Sequence, residues 1–72
     1  MSIQIRRVSA RRIREARRAA GVLRDDLAAT VGVLPTAISH YESGRKAPSA
    51  ALLANIASAL NVTMDDLMEI VD

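Results

Sequence analysis

A chain of 72 residues has room for one domain around one small core, so any activity is expected on its surface rather than in a separate effector or catalytic domain. Half of the residues are hydrophobic, a single tyrosine is the only aromatic and cysteine is absent, which excludes a disulfide or cysteine–zinc framework and points to an aliphatic, alanine-rich helical protein. The net charge is only +2, but Arg6, Arg7, Arg11, Arg12, Arg14, Arg17, Arg18 and Arg24 crowd the first third, opposed there by Glu15 alone, while half of the acids lie near the C-terminus. That asymmetry suits a polyanion on one face. No apolar run approaches membrane-spanning length and the N-terminus lacks a signal-type apolar region, so a cytoplasmic location without a membrane partner is expected.

In chain order, residues 1–8 form an N-terminal arm and residues 9–72 the folded domain. In the arm, Ile3 and Ile5 alternate with Gln4 as in a short strand, which would suit a dimer-forming arm; a frayed or packed tail is the plainer reading. Helix 1 starts at Ser9, a candidate N-cap, carries Ile13, Ala16 and Ala20 on one face, and stops at Gly21. Arg11, Arg14 and Arg18 project from one flank of it.

The stretch LRDDLAATVGVLPTAISHYESG, Leu23 to Gly44, reads as a helix-turn-helix. Leu27, Ala28 and Val31 recur at helical spacing, Gly32 interrupts, and Ile38 and Tyr41 resume the pattern after Pro35. Gly32 supplies the backbone freedom for the turn, Val33 can plug the corner, and Pro35 suits a first helical turn, where its missing N–H costs nothing. The exposed face of the second of these helices is Thr36, Ala37, Ser39, His40 and Ser43, small and polar enough to approach base-pair edges. Arg45 and Lys46 then sit in an exposed loop. Pro48-Ser49 opens a scaffold helix burying Leu53, Ile56, Ala57 and Leu60, which Asn61 can end in the left-handed conformation. Thr63 with Asp65 and Asp66 caps a last short helix of Met64, Leu67, Met68, Ile70 and Val71, whose surplus apolar surface is free for a second subunit or for loose terminal packing. The expected fold is all-α, a compact bundle of about five short helices.

Catalysis and metal ligation find no support. Ser39, His40 and Glu42 are crowded on one short helix and cannot assemble a nucleophile, a base and an orienting group; His40 has no second histidine to share a metal. No cofactor is implied.

The segments IREARRAAG (13–21), DLAATVGV (26–33), AISHYESGRKAPS (37–49) and IASALNVTMDDL (56–67) together resemble the lambda-repressor-like helix-turn-helix domains of the Cro and phage-repressor (XRE) type over nearly the whole chain. The resemblance implies an ion pair between Arg17 and Glu42 that ties helix 1 to the second motif helix, a structural role for both. It also implies base contacts from Thr36, Ala37, Ser39 and His40, and phosphate contacts from Arg14, Arg24, Ser43, Arg45 and Lys46. A dimer interface is expected from Met64, Met68 and Val71. The chain departs from the family where a serine or threonine usually caps each motif helix: Leu23 and Leu34 stand there, and Arg24 replaces a glutamine that commonly meets DNA phosphate. Uncapped N–H groups and Arg24 could hold a phosphate, Leu34 could touch sugar or a thymine methyl, or both leucines could mark a protein-binding surface.

The expected function is sequence-specific binding of double-stranded DNA by a homodimer on a palindromic operator, regulating transcription as a repressor that occludes promoter DNA. The alternative is a protein-interaction module, such as an antitoxin with a protein partner, for which DNA binding is secondary.

Overall fold

A computed structural model describes residues 3–71. In chain order it contains strand β1 (Ile5–Val8), helices α1 (Ala10–Ala19), α2 (Arg24–Val31), α3 (Pro35–Ser43) and α4 (Ala50–Ala59), a 3-10 turn at Asp65–Leu67, and strand β2 (Met68–Val71). The four helices close around Ile13, Leu27, Ala28, Ile38, Leu53, Ile56, Ala57 and Leu60, with Leu67 from the 3-10 turn sealing the end of the core.

Local chemistry accounts for each boundary. The Ser9 hydroxyl accepts the Arg12 N–H at 3.2 Å, which caps α1, while the Ser9 backbone N–H donates to the Leu67 carbonyl at 2.9 Å and ties the start of α1 to the 3-10 turn. Ser49 caps α4 in the same way through the Leu52 N–H. Gly32 takes φ +78°, a left-handed geometry that a side chain would strain, and with the Val33 N–H donating to the Ala28 carbonyl it turns the chain sharply from α2 into α3. Asn61 adopts the same region at φ +57°, tolerable for asparagine, and closes α4.

The expectation of about five helices is corrected at the C-terminus. Where a last helix from Met64 to Val71 was expected, only Asp65–Leu67 is helical, as a single 3-10 turn, and Met68–Val71 is a strand. Thr63 and Asp66 start the turn: the Asp66 carboxylate accepts the Thr63 N–H at 2.9 Å and the Thr63 hydroxyl accepts the Asp66 N–H at 3.1 Å. This reciprocal box starts a turn whose next residues are better satisfied by strand pairing than by another helical turn. β1 runs antiparallel to β2, with Ile5 opposite Val71, Arg6 opposite Ile70, Arg7 opposite Glu69 and Val8 opposite Met68. The reading of the arm as a frayed or packed tail is therefore replaced, from Ile5 onward, by a paired strand. Met1, Ser2 and Asp72 lie outside the described residues.

This ribbon redirects the charge. Arg6 reaches Asp65 at 2.9 Å and Arg7 reaches Glu69 at 2.8 Å, while the Arg12 guanidinium donates to the Met68 carbonyl at 2.6 Å. Arg6 and Arg7 thus have acid partners in the ribbon, while Arg12 is tied to it through a neutral carbonyl and keeps its charge on that side of the molecule, away from α3. On α1, Ala20 is exposed, and Arg17 instead takes the place beside the core.

Candidate nucleic-acid interface

Helix α3 is the geometric centre of the candidate site. Pro35 at its first turn and Leu34 before it, extended at ψ 151°, start the helix without any side-chain cap; Ile38 and Glu42, one turn apart, face inward. The opposite side carries Thr36 and Ser43, both exposed, with Ala37, Ser39 and His40 half-buried. The face read from sequence as uniformly exposed is therefore graded, because α2 and the α1 arginines crowd the Ser39 flank. At the far end, the N–H groups of Gly44, Arg45 and Lys46 all converge on the His40 carbonyl, and the Ser43 hydroxyl donates to that carbonyl while accepting the Arg45 N–H. The loop bearing the exposed Arg45 and Lys46 side chains is thereby fastened to the end of α3.

Arg17 and Glu42 lock α1 to α3. Arg17 Nε donates to Glu42 Oε2 at 2.6 Å and Nη2 to Oε1 at 3.1 Å, a two-point fork, while Nη1 donates to the Val22 carbonyl at 2.9 Å. Both residues are only 8% exposed. The hydrogen bonds that Arg17 donates to Glu42 hold the Arg17 pKa above its ordinary value, against the opposing effect of burial. The Val22 carbonyl was not foreseen as a partner; its position just after Gly21, where the chain turns back along α1, was the available signal.

Around this pair lies a concavity of about 220 Å³ lined by Arg14, Arg17, Arg18, Arg24, Ser39, Glu42 and Ser43. Four guanidinium groups meet a single carboxylate there, and that carboxylate is already engaged by Arg17. Arg14, Arg18, Arg24, Arg45 and Lys46 form no ion pair among the described residues, whereas Arg11, expected on the same flank as Arg14 and Arg18, is turned to Glu15 at 3.2 Å. Arg18 joins the concavity because it follows Arg14 by one helical turn, a spacing visible in the sequence. Arg24 is brought directly to α3: its Nη1 donates to the Ser39 hydroxyl at 3.2 Å. His40 and Thr36 do not line the concavity.

The residues expected at a dimer interface separate in space. Met64 and Met68 are half-buried and pack against the protein's own core, whereas Val71 lies in the ribbon opposite Ile5, which is 63% exposed, and next to Ile70, which is 52% exposed. Leu23 and Leu34, before α2 and α3, are 68% and 74% exposed and make no capping bond. Among the described residues no group of acids and histidine is placed to hold a metal ion, and no helix is long and apolar enough to cross a membrane.

Comparison with known proteins bears on this geometry. A family model described as helix-turn-helix matches residues 13–67. The chain is 33% identical over 57 residues to the uncharacterized HTH-type transcriptional regulator YazB of Bacillus subtilis, a match covering 79% of this chain and 83% of that protein. The crystal structure of the clp gene regulator ClgR from Corynebacterium glutamicum is similar with a TM-score of 0.78 at 34% identity, covering 81% of this chain but only 62% of that one. The P22 c2 repressor, solved in complex with a synthetic operator, is similar with a TM-score of 0.77 at 30% identity over 85% of this chain and 92% of its own.

Proposed function

This chain belongs to the helix-turn-helix family of the lambda-repressor-like (XRE) type, and from that premise we propose that it binds duplex DNA through α3 and regulates transcription as a repressor. The observation that carries the reading is that five of the six cations left without an acid partner among the described residues, Arg14, Arg18, Arg24, Arg45 and Lys46, flank the one helix whose outer side is short and polar, the sixth being Arg12 beside the ribbon. Phosphate neutralisation supplies most of the affinity of such a surface, and a helix with small outward side chains can enter the major groove to read base edges.

In this reading Thr36, Ala37, Ser39 and His40 face the bases. Arg14, Ser43, Arg45 and Lys46 meet the phosphate backbone on either side of α3, with Arg24 at the margin of that set because its guanidinium is already bonded to Ser39. Arg17 and Glu42 hold α1 and α3 at the angle this requires. A homodimer would set two copies of α3 one helical turn of DNA apart, about 34 Å, on a roughly palindromic operator, and occlusion of promoter DNA in the cytoplasm would follow. The end of the ribbon, with Ile5 and Ile70 exposed and Val71 half-buried beside Ile5, suits the subunit contact better than Met64 and Met68 do, because those methionines are occupied by the core.

A second reading has its own observation. Leu23 and Leu34 are exposed at the two positions where a capping hydroxyl would otherwise face DNA, and such apolar points suit a protein partner, as in an antitoxin. Gel-shift titration with random duplex over several salt concentrations separates the two. A log–log slope with salt of several units supports DNA binding, and a flat or absent response leaves the protein-interaction module.

A further inference from the structure

We infer that Arg24 is a specificity-determining residue that reads a guanine in the major groove, held in place for this by the hydroxyl of Ser39. The inference rests on the DNA-binding reading above and refines it, because the sequence position of Arg24 at the start of α2 groups it with the phosphate contacts.

Three observations carry it. Helix α3, Pro35–Ser43, contains no arginine, lysine, asparagine or glutamine, and its one acid, Glu42, is engaged by Arg17; Thr36, Ser39 and His40 are too short to present the forked donors that best recognise guanine. Among the cations without an acid partner, Arg24 alone donates a side-chain hydrogen bond to another side chain, and its acceptor is on α3, fifteen residues away. Arg14, Arg18, Arg45 and Lys46 make no such bond among the described residues and keep the rotational freedom that suits a screened phosphate contact. Finally, one N–H of Arg24 engages a neutral hydroxyl, so the charge is not cancelled and the remaining donors of the fork stay available for O6 and N7 of a guanine. Ordering the side chain before DNA arrives removes part of the entropy loss that a long arginine would otherwise suffer on contact. A short polar helix thus borrows its guanine reader from the neighbouring helix.

The experiment starts from duplexes selected by the wild-type protein out of a random pool, each guanine then replaced singly by 7-deazaguanine, which removes the N7 acceptor. Binding is measured for wild type, Arg24→Ala, Arg24→Lys and Ser39→Ala on the selected, deaza-substituted and random duplexes, with thermal unfolding as a control, since neither residue belongs to the core. We expect one guanine per half-site whose substitution weakens wild type by roughly 2- to 12-fold, about half of a good bidentate contact, because O6 remains. Arg24→Ala should be indifferent to that substitution. Arg24→Lys should weaken the selected duplex by a larger factor than the random one and lose most of the discrimination, and Ser39→Ala should lose part of it at the same base pair. Equal weakening of selected and random duplexes by Arg24→Ala, with deaza sensitivity intact, overturns the inference while leaving DNA binding standing, as does a selected site in which no guanine N7 matters. Failure of the wild type to bind any duplex in a salt-dependent way overturns both readings.

Discussion

Arg17 and Glu42, on helices α1 and α3, meet through a two-point fork at 2.6 and 3.1 Å, and the third side of the guanidinium is closed by the Val22 carbonyl at 2.9 Å. A buried pair of this kind is a poor source of net stability but is costly to break from one side, because the survivor is left desolvated and unpaired. Arg17→Ala and Glu42→Ala are each expected to lower stability by roughly 3 kcal/mol, a large fraction of what a domain of this size has in total. Urea unfolding of both single variants and the double variant should give strong coupling, the double costing far less than the sum; simple additivity would remove the pair from the account of how α1 holds α3. Arg17→Lys should fall between, since it keeps charge but loses the fork and reaches Val22 less well.

Thr63 and Asp66 make a second, exposed device, with a consequence for acid stability. The Thr63 backbone N–H first, and its hydroxyl second, hold the Asp66 pKa below its ordinary value, with the Arg12 charge adding to the effect. Because the folded value is depressed relative to the unfolded one, this carboxylate contributes stability that is complete above the ordinary carboxylate value and is lost as the pH falls through the lower, folded value. The window therefore lies below about pH 4. Comparing thermal midpoints of wild type and Asp66→Asn from pH 7 down to pH 2 should show the difference at neutral pH shrinking on acidification. Parallel curves would mean that the box does not couple to protonation.

How far the sequence carries can be judged from particular residues. Helical spacing at Leu27, Ala28 and Ile38, the glycine at the turn and the serine caps are local signals, and helices α1 to α4 follow from them. The C-terminal end does not, because Met64–Val71 satisfies a helical apolar pattern and a strand pattern alike, and the choice depends on Ile5–Val8, more than fifty residues away in the chain, arriving to pair with it. The same non-local pairing decides which arginines are free. In the linear sequence Arg6, Arg7 and Arg12 look equivalent to Arg14 and Arg18, yet the first three are engaged by Asp65, Glu69 and the Met68 carbonyl. The bond from Arg24 to Ser39 was equally out of reach of a linear reading, since it needs the angle between α2 and α3.

Assembly can be tested at the ribbon. At its end Ile5 and Val71 share one face while Ile70, opposite Arg6, lies on the other, Ile5 and Ile70 are exposed, and a two-stranded ribbon has two unpaired edges of its own. Ile70→Lys should shift sedimentation from dimer to monomer and weaken operator binding while leaving the thermal midpoint of the monomer within a few degrees. Met68→Lys should instead unfold the domain, as Met68 packs against the core. A wild-type protein that sediments as a monomer, free and on DNA, would end the dimer proposal.

The remaining prediction separates residues that hold DNA from those that read it. Arg45 and Lys46 project from a loop pinned to the end of α3 and are exposed, so their charge is available but their position carries no base-edge geometry. Alanine at either should weaken all duplexes alike and reduce the log–log salt slope by roughly one unit for each phosphate that is no longer neutralised. Thr36 and His40 lie on the outer side of α3, away from the arginine-lined concavity, so replacing them leaves the cationic surface intact. Thr36→Ala or His40→Ala should relax preference at one or two base pairs, by roughly 1–3 kcal/mol of discrimination for a good base pairing, with random-duplex affinity nearly unchanged. The comparison requires each variant on the selected operator, on single-base variants of it and on random duplex, at matched salt. Should Arg45→Ala change base preference while His40→Ala and Thr36→Ala do not, α3 enters the groove in an orientation other than the one proposed, with its C-terminal loop rather than its first turns against the bases.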